Sequence, residues 1–544
     1  MAVLPINEIF RDYVVDGVPS SGAHKPRKVD IRDTLNVTGT HTFPGAGAIP
    51  RSISVNLNKF PTPDDYGADP TGVADSLAAI NAALVANDIV YVKDTASYKA
   101  SGAIPLSRIG HALLGDGNGQ GSITSTSLTA NLITLANGIS SMKVGGLSLL
   151  RSVVPTAGIG VACLGSTDRS ELFDLHIEGQ YIGLQTSTCD EGRISRVTSK
   201  KNILDGWLAT CEVAYGAAQW EVNDILLAQN GRDGVRAQSV LGSAGMILGT
   251  WNSLKTFGNT GRGVILLGSA TTPVFDMRLN NPFIGSDGTT GIYIDAYGGK
   301  HVITGGFIER CGMDPTGPAY ATPASNNAPG VQIAGNETNA ITLVGVLIDN
   351  NSLVGIRSAS GQLSMAGCQV LNNGLALVAG QRSGISIDGG SAAIVGGKSG
   401  NTGGGTSQQY GVAIGVDAVT MAGVDLKNNA VLPVFKGVTL TAANSSLAGN
   451  TPITPNTSDF PYRIEGTATF DPVSLADGAG VTTTVTVTGA ALGDMAMASF
   501  SLATSGITIT AWVSAANTVS VRFQNETAGV LDIASGTLKA WVLK

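Results

Sequence analysis

Two glycine-led phrases recur through the middle of this chain, out of phase with each other, and together they permit few folds. The first is a short strand pattern ending in paired asparagines: "LVGVLIDNN" from 343, "SMAGCQVLNN" from 364 and "TMAGVDLKNN" from 420. Its glycines align at Gly305, Gly345, Gly367, Gly396 and Gly423, at steps of 40, 22, 29 and 27 residues. The second is glycine followed by alternating apolar residues, at Gly206, Gly234, Gly263, Gly291, Gly330, Gly355, Gly384 and Gly411. Most of its steps are 25 to 29 residues and one is 39. Two interleaved phrases at one period place two strands at fixed points of every coil, which predicts a solenoid of about eleven coils, one of them oversized. The turn asparagines are expected to stack as an amide ladder and to be structural.

Composition agrees. Of 544 residues 72 are glycine, only 13% are charged and 5% aromatic, while 43% are hydrophobic. A chain this long defaults to several compact domains, but low charge with abundant glycine and β-branched residues favours stacked β-structure. The missing Gly-X-Y period excludes collagen, and the apolar content excludes disorder. A net charge of −7 disfavours nucleic acid as a partner. No apolar run reaches the length of a membrane span, and "MAVLPINEIFRDYVV" has no secretory pattern. The five cysteines (Cys163, Cys189, Cys211, Cys311, Cys368) show no CxxC spacing and are expected as buried thiols of a protein made in a reducing cytoplasm.

The chain changes character at 65–84, "DYGADPTGVADSLAAINAAL". Turn chemistry around Asp65–Gly67 and Asp69–Gly72 gives way to a helix over 75–86, capped by Asp75 or Ser76, with Leu77, Ile80, Ala83 and Leu84 as its apolar stripe. The strand "IVYVKD" follows. One amphipathic helix ahead of many strands suits a plug for the open end of a coil stack.

This stretch resembles the motif that precedes the first coil in the pectate-lyase-like right-handed β-helix superfamily, phage tailspikes above all. Tyr66 stands at the family's phenylalanine, Asp69-Pro70-Thr71-Gly72 replaces its Gly-Asp-Gly, and its second acidic pair is reduced to Asp75. The resemblance implies an all-β right-handed parallel β-helix over 61–450 that forms a homotrimer. It also implies a component of the virion tail, made in the host bacterial cytoplasm, that recognises a bacterial surface polysaccharide. Residues 1–60 look like the N-terminal anchors that seat phage tail proteins in a baseplate or hub. After a proline-rich linker at 451–463, period-two alternation over 464–544 reads as a small antiparallel β-sandwich, similar to C-terminal modules of phage tail proteins. Its alanines Ala496, Ala498 and Ala503 are expected to pack against a neighbouring chain.

The five histidines are isolated, there is neither HExxH nor GxSxG, and neither a metal nor a cofactor is expected. Carboxylates are the better candidates. Glu178, Glu309 and Asp349 each lie four residues after a strand landmark (Asp174, Gly305, Gly345), and the last two fall on consecutive coils. Stacked strands are about 4.8 Å apart, so Glu309 and Asp349 are expected to face each other as an acid and a base for glycoside hydrolysis. Asp276 and Asp295 rank second, with Asp224 and Glu221. The insert of the oversized coil, "CGMDPTGPAYATPASNNAPG", supplies Tyr320 to stack on a sugar beside Arg310. Trp220 and Trp251, near Trp207, are either core residues or a saccharide platform. Two other functions remain open from sequence: a receptor-binding protein without turnover, and a polysaccharide lyase.

Overall fold

The computed structural model describes residues 40–41, 51–52 and 60–543, apart from 117–120, 212–215, 240–244, 314–327, 335–339, 377–381, 403–404, 417–418 and 437–462. Contacts divide the chain into two units. Of the first, only an antiparallel pair, Thr40–His41 with Arg51–Ser52, is described. The expected anchor at 1–60 and the linker at 451–463 therefore fall almost wholly outside the described residues.

The second unit is a parallel β-solenoid of about 11 turns. Its strands lie in a 24-stranded and a 13-stranded sheet. Ahead of them Asp69 organises the opening loop, accepting the backbone N–H groups of Thr71 (2.9 Å), Val73 (3.0 Å) and Ala74 (2.6 Å). These bonds, that of Ala74 foremost, hold its carboxyl far below the usual range. The helix runs over Leu77–Ala86 and buries Ile80, Ala83 and Leu84, as the stripe predicts.

Each coil bends where one residue is left-handed. In the later coils that residue is the landmark glycine, as at Gly305 and Gly345 (φ 64° and 63°). In earlier coils the same bend is made by Asp174, Arg196, Asp224, Ser253 and Asn281, with φ between 49° and 57°. Inward residues stack rung on rung: Val222 opposes Trp251, Trp251 opposes Leu279, Leu279 opposes Ile303, and Ile303 opposes Leu343.

A second left-handed residue follows the next strand, and after it comes a buried amide. Asn202 donates through Nδ2 to Asn230 Oδ1 (2.8 Å), Asn230 to Asn259 (2.8 Å), and Asn259 to Asp287 (2.7 Å). The backbone N–H of each donor joins the same acceptor. After Cys311 the series resumes with Asn351 to Asn373 (2.9 Å). The second glycine series packs against this ladder. A Cβ on Gly234 would lie 2.6 Å from the Gly263 carbonyl, and one on Gly206 would lie 2.7 Å from Asn230 Nδ2. All five cysteines are buried, and none is in a disulfide.

The C-terminal strands form two three-stranded antiparallel sheets. They share one core, in which Phe523 packs against Phe470 and Phe500 (ring centroids 5.3 and 5.2 Å). Ala496 and Ala498 pack against that core and do not form the outward face expected from sequence, although Ala503 is exposed. The outward residues of their strand are Met495 and Met497, because strand parity alternates and the alanines took the inner side.

Two stability predictions follow from the ladder. Asn230→Ala strands donors and acceptors on both neighbours, so it should cost about 2 kcal/mol or more. Asn252→Ala, in the half-buried outer ladder where Asn252 bonds Asn223 (2.8 Å), should cost at most about 1 kcal/mol. Thermal unfolding that ranks the two the other way contradicts the ladder's role.

Asp287 supplies the second. It is fully buried in the ladder between Asn259 and Cys311, and burial pushes its carboxyl from 3.8 up to about 7. The folded state therefore binds the proton more tightly than the unfolded state. Stability falls as pH rises from about 4 to about 7, and the whole penalty is present above that. Asp287→Asn should raise the melting temperature at pH 8 by more than at pH 5, and an equal gain at both would refute this.

Candidate functional site

Glu309 ends the strand Phe307–Glu309, and Asp349 ends Leu347–Asp349. The two residues are direct register partners on adjacent parallel strands. Each strand points an isoleucine inward, Ile308 and Ile348, both fully buried, so the acids on either side of that parity point outward. Both are half-buried. A left-handed residue follows each, Arg310 and Asn350, and then Cys311 and Asn351 of the ladder. The carboxylates are thus pinned between the core and the ladder.

Burial pushes the Asp349 carboxyl above its ordinary value. Hydrogen bonds from Asn372 Nδ2 (3.0 Å) and from the Asn350 backbone N–H, with the charge of Arg310, oppose that shift without cancelling it. Glu178 occupies the same column, which runs Glu178, Lys200, Ala228, Phe257, Gly285, Glu309, Asp349. Its chemistry is different. Burial pushes its carboxyl up, but hydrogen bonds from Lys201 (2.9 Å) and His176 (3.1 Å), with Lys200 nearby, outweigh that and hold it at about 2.

An apolar stripe borders the pair. Phe283, Phe307 and Leu347 are consecutive outward partners one column away. Phe307 is 47% exposed. The Phe283 ring lies over Gly285, where a Cβ would meet it at 2.9 Å, on the rung next to Glu309. Sequence reading gave weight to tryptophans and passed over these phenylalanines. Their signal was positional: Phe283 and Phe307 share the parity of the carboxylate column, two residues upstream of it.

The other candidates disperse. Trp207, Trp220 and Trp251 are each only 1% exposed, so they form no indole platform. They hold inward parity, and the Trp207 and Trp251 rings pack at 4.8 Å. Trp207 Nε1 donates to Thr186 Oγ1 (2.9 Å) and Trp220 Nε1 to the Ser187 carbonyl (3.4 Å). Asp224 pairs with Lys255 (2.7 Å) at an exposed bend. Asp295 lies in the other sheet, half-buried, with its carboxyl raised by burial. Glu221 and Asp276 line a polar groove of about 920 Å³ on the strands before the bend. Tyr320 lies outside the described residues, and Arg310 is exposed beside Asp349.

No protein-family model matches the chain, and no curated protein matches its sequence. Solved structures do match. Tailspike protein 3 of bacteriophage CBA120 superposes with a TM-score of 0.51 at 14% identity, over 86% of this chain and 72% of that one. The N-terminal fragment of gene product 12 of bacteriophage Phi29 gives 0.51 at 13% identity, over 74% of each chain. At such identity the likeness is one of fold: this chain shares the parallel β-helix of these phage proteins.

Proposed function

We propose that the chain is a phage tailspike that binds a bacterial surface polysaccharide and hydrolyses it at Glu309 and Asp349. The observation that supports this best is the direct opposition of the two carboxylates, one of them raised by burial, on a surface bordered by exposed phenylalanine. Asp349, which holds its proton to higher pH, protonates the glycosidic oxygen. Glu309, its register partner, attacks the anomeric carbon, and water then releases the sugar from it. Adjacent strands root the side chains about 4.8 Å apart, near the separation of about 5–5.5 Å used for retention of configuration. Phe307 stacks on the apolar face of a sugar and orients it. The tailspike reading also assigns residues 1–60 to virion attachment and the assembly to a homotrimer. Light scattering that shows a monomer at micromolar concentration would reject the trimer.

Glu309→Gln and Asp349→Asn keep shape and remove charge. Each should lower turnover of host polysaccharide at least about 10²-fold while binding persists, and the double variant should lose little more. Wild-type turnover by both variants would eliminate the pair. Binding without new reducing ends from the wild type would leave receptor recognition as the function, and unsaturated ends would mark a lyase. Phe307→Ala should weaken binding more than it lowers the maximal rate.

The acid role carries its own sign test. A general acid must be protonated, so activity falls as pH rises through the pKa of Asp349. Asn372→Ala removes a donor that favours the charged form, so that pKa should rise and the alkaline limb of the rate profile should move to higher pH. A limb that stays in place or moves down assigns the proton elsewhere.

A further inference from the structure

The groove before the bend has a charge pattern that the hydrolytic site does not use. Its central column is Lys143, Glu171, Arg193, Glu221, Thr250 and Arg278, successive outward residues one rung apart. Five rung steps of about 4.8 Å make it about 24 Å long, and one step is close to the length of a sugar residue. The column alternates in sign through its first four rungs. Lys143 pairs with Glu171 (2.8 Å), and Arg193 lies between Glu171 (3.9 Å) and Glu221 (3.6 Å). At the groove's wall Arg169 pairs with Glu191 (3.0 Å).

The alternation breaks at Thr250. The next cation, Arg278, has Thr250 on one side and Val302 on the other. Among the described residues no carboxylate pairs with its guanidinium, although every other cation of the groove has one. Gly249, next to Thr250, presents no side chain, since a Cβ there would meet the Trp220 carbonyl at 2.5 Å. The groove therefore offers an exposed fork of N–H donors above a low, uncharged rung, where the pattern lacks an anion.

We propose that this groove is a second saccharide-binding site, specific for an extended acidic glycan, whose sugar carboxylate occupies the Thr250 rung and is gripped by Arg278. A guanidinium meets a carboxylate through two parallel hydrogen bonds, and the paired charges on the earlier rungs offer donors and acceptors to the hydroxyls of neighbouring sugars. The inference rests on the glycan-binding reading above and not on hydrolysis. It gives the protein a hold on the chain away from the bond being cut, so that two modest contacts act together.

The test uses the full-length Glu309→Gln protein, so that glycans stay intact, on an array of bacterial oligosaccharides with and without uronic or sialic acids. The bound glycans should carry acidic sugars, and binding should weaken with added salt. Arg278→Ala should lower affinity about tenfold or more. Thr250→Glu supplies the missing anion from the protein itself. It should pair with Arg278 as neighbouring rungs already do, leave the fold unchanged by circular dichroism, and abolish acidic-glycan binding. Acidic glycans held equally well by both variants, or hits confined to neutral glycans, would overturn the proposal and leave the hydrolytic reading standing. Binding to no glycan, host polysaccharide included, would remove both.

Discussion

Everything on the surface of this solenoid depends on the buried amide ladder. An asparagine side chain buried without partners is costly, and here each is satisfied by the coil on either side of it. The bonds run between coils, so they fix rung to rung. The glycine series beside the ladder exists because a Cβ there, as at Gly206, Gly234 and Gly330, would meet an amide or a carbonyl at under 3 Å. Small size and hydrogen-bonding capacity are thus demanded together, once per coil. Asp287 departs from the rule: it accepts from Asn259 and from Thr256 Oγ1 (2.7 Å) but has no amide to donate. The next coil places Cys311 at that position, so the side-chain ladder is broken there and resumes at Asn351.

A ladder that locks register turns residues distant in sequence into fixed neighbours. Glu309 and Asp349 are 40 residues apart and meet because the oversized insert leaves the strands on either side of it in register. The same locking builds the alternating charges of the groove and the stripe of Phe283, Phe307 and Leu347. A site on such a scaffold is a set of columns, and its precision comes from strands rather than loops.

Much of this was legible in the sequence because each coil repeats the same local demands. The bend glycines, the asparagine turns, the helix ahead of the first coil and the strand parity are all matters of φ, size and hydrogen bonding that one residue type meets best. Legibility failed where the bend was made by something else. Asp174, Arg196, Asp224, Ser253 and Asn281 adopt the conformation that glycine takes elsewhere, so most earlier coils carried no glycine at the bend and the charged column could not be aligned. The tryptophans misled for a related reason: their type suits both a core and a sugar platform, and only their parity decided for the core.

The sequence by itself determined a parallel β-solenoid with an antiparallel β module after it, because backbone conformation and side-chain size are local requirements written into each repeat. It also placed Glu309 opposite Asp349, since both are counted from a glycine. Only the tertiary structure decided which columns lie side by side and which faces remain in water. Coil length varies from 22 to 40 residues between landmark glycines, so lateral neighbours follow from how each turn closes rather than from spacing along the chain. Among the described residues that closure left Arg278 above Thr250 without a carboxylate partner, while packing within the C-terminal module turned Ala496 and Ala498 inward.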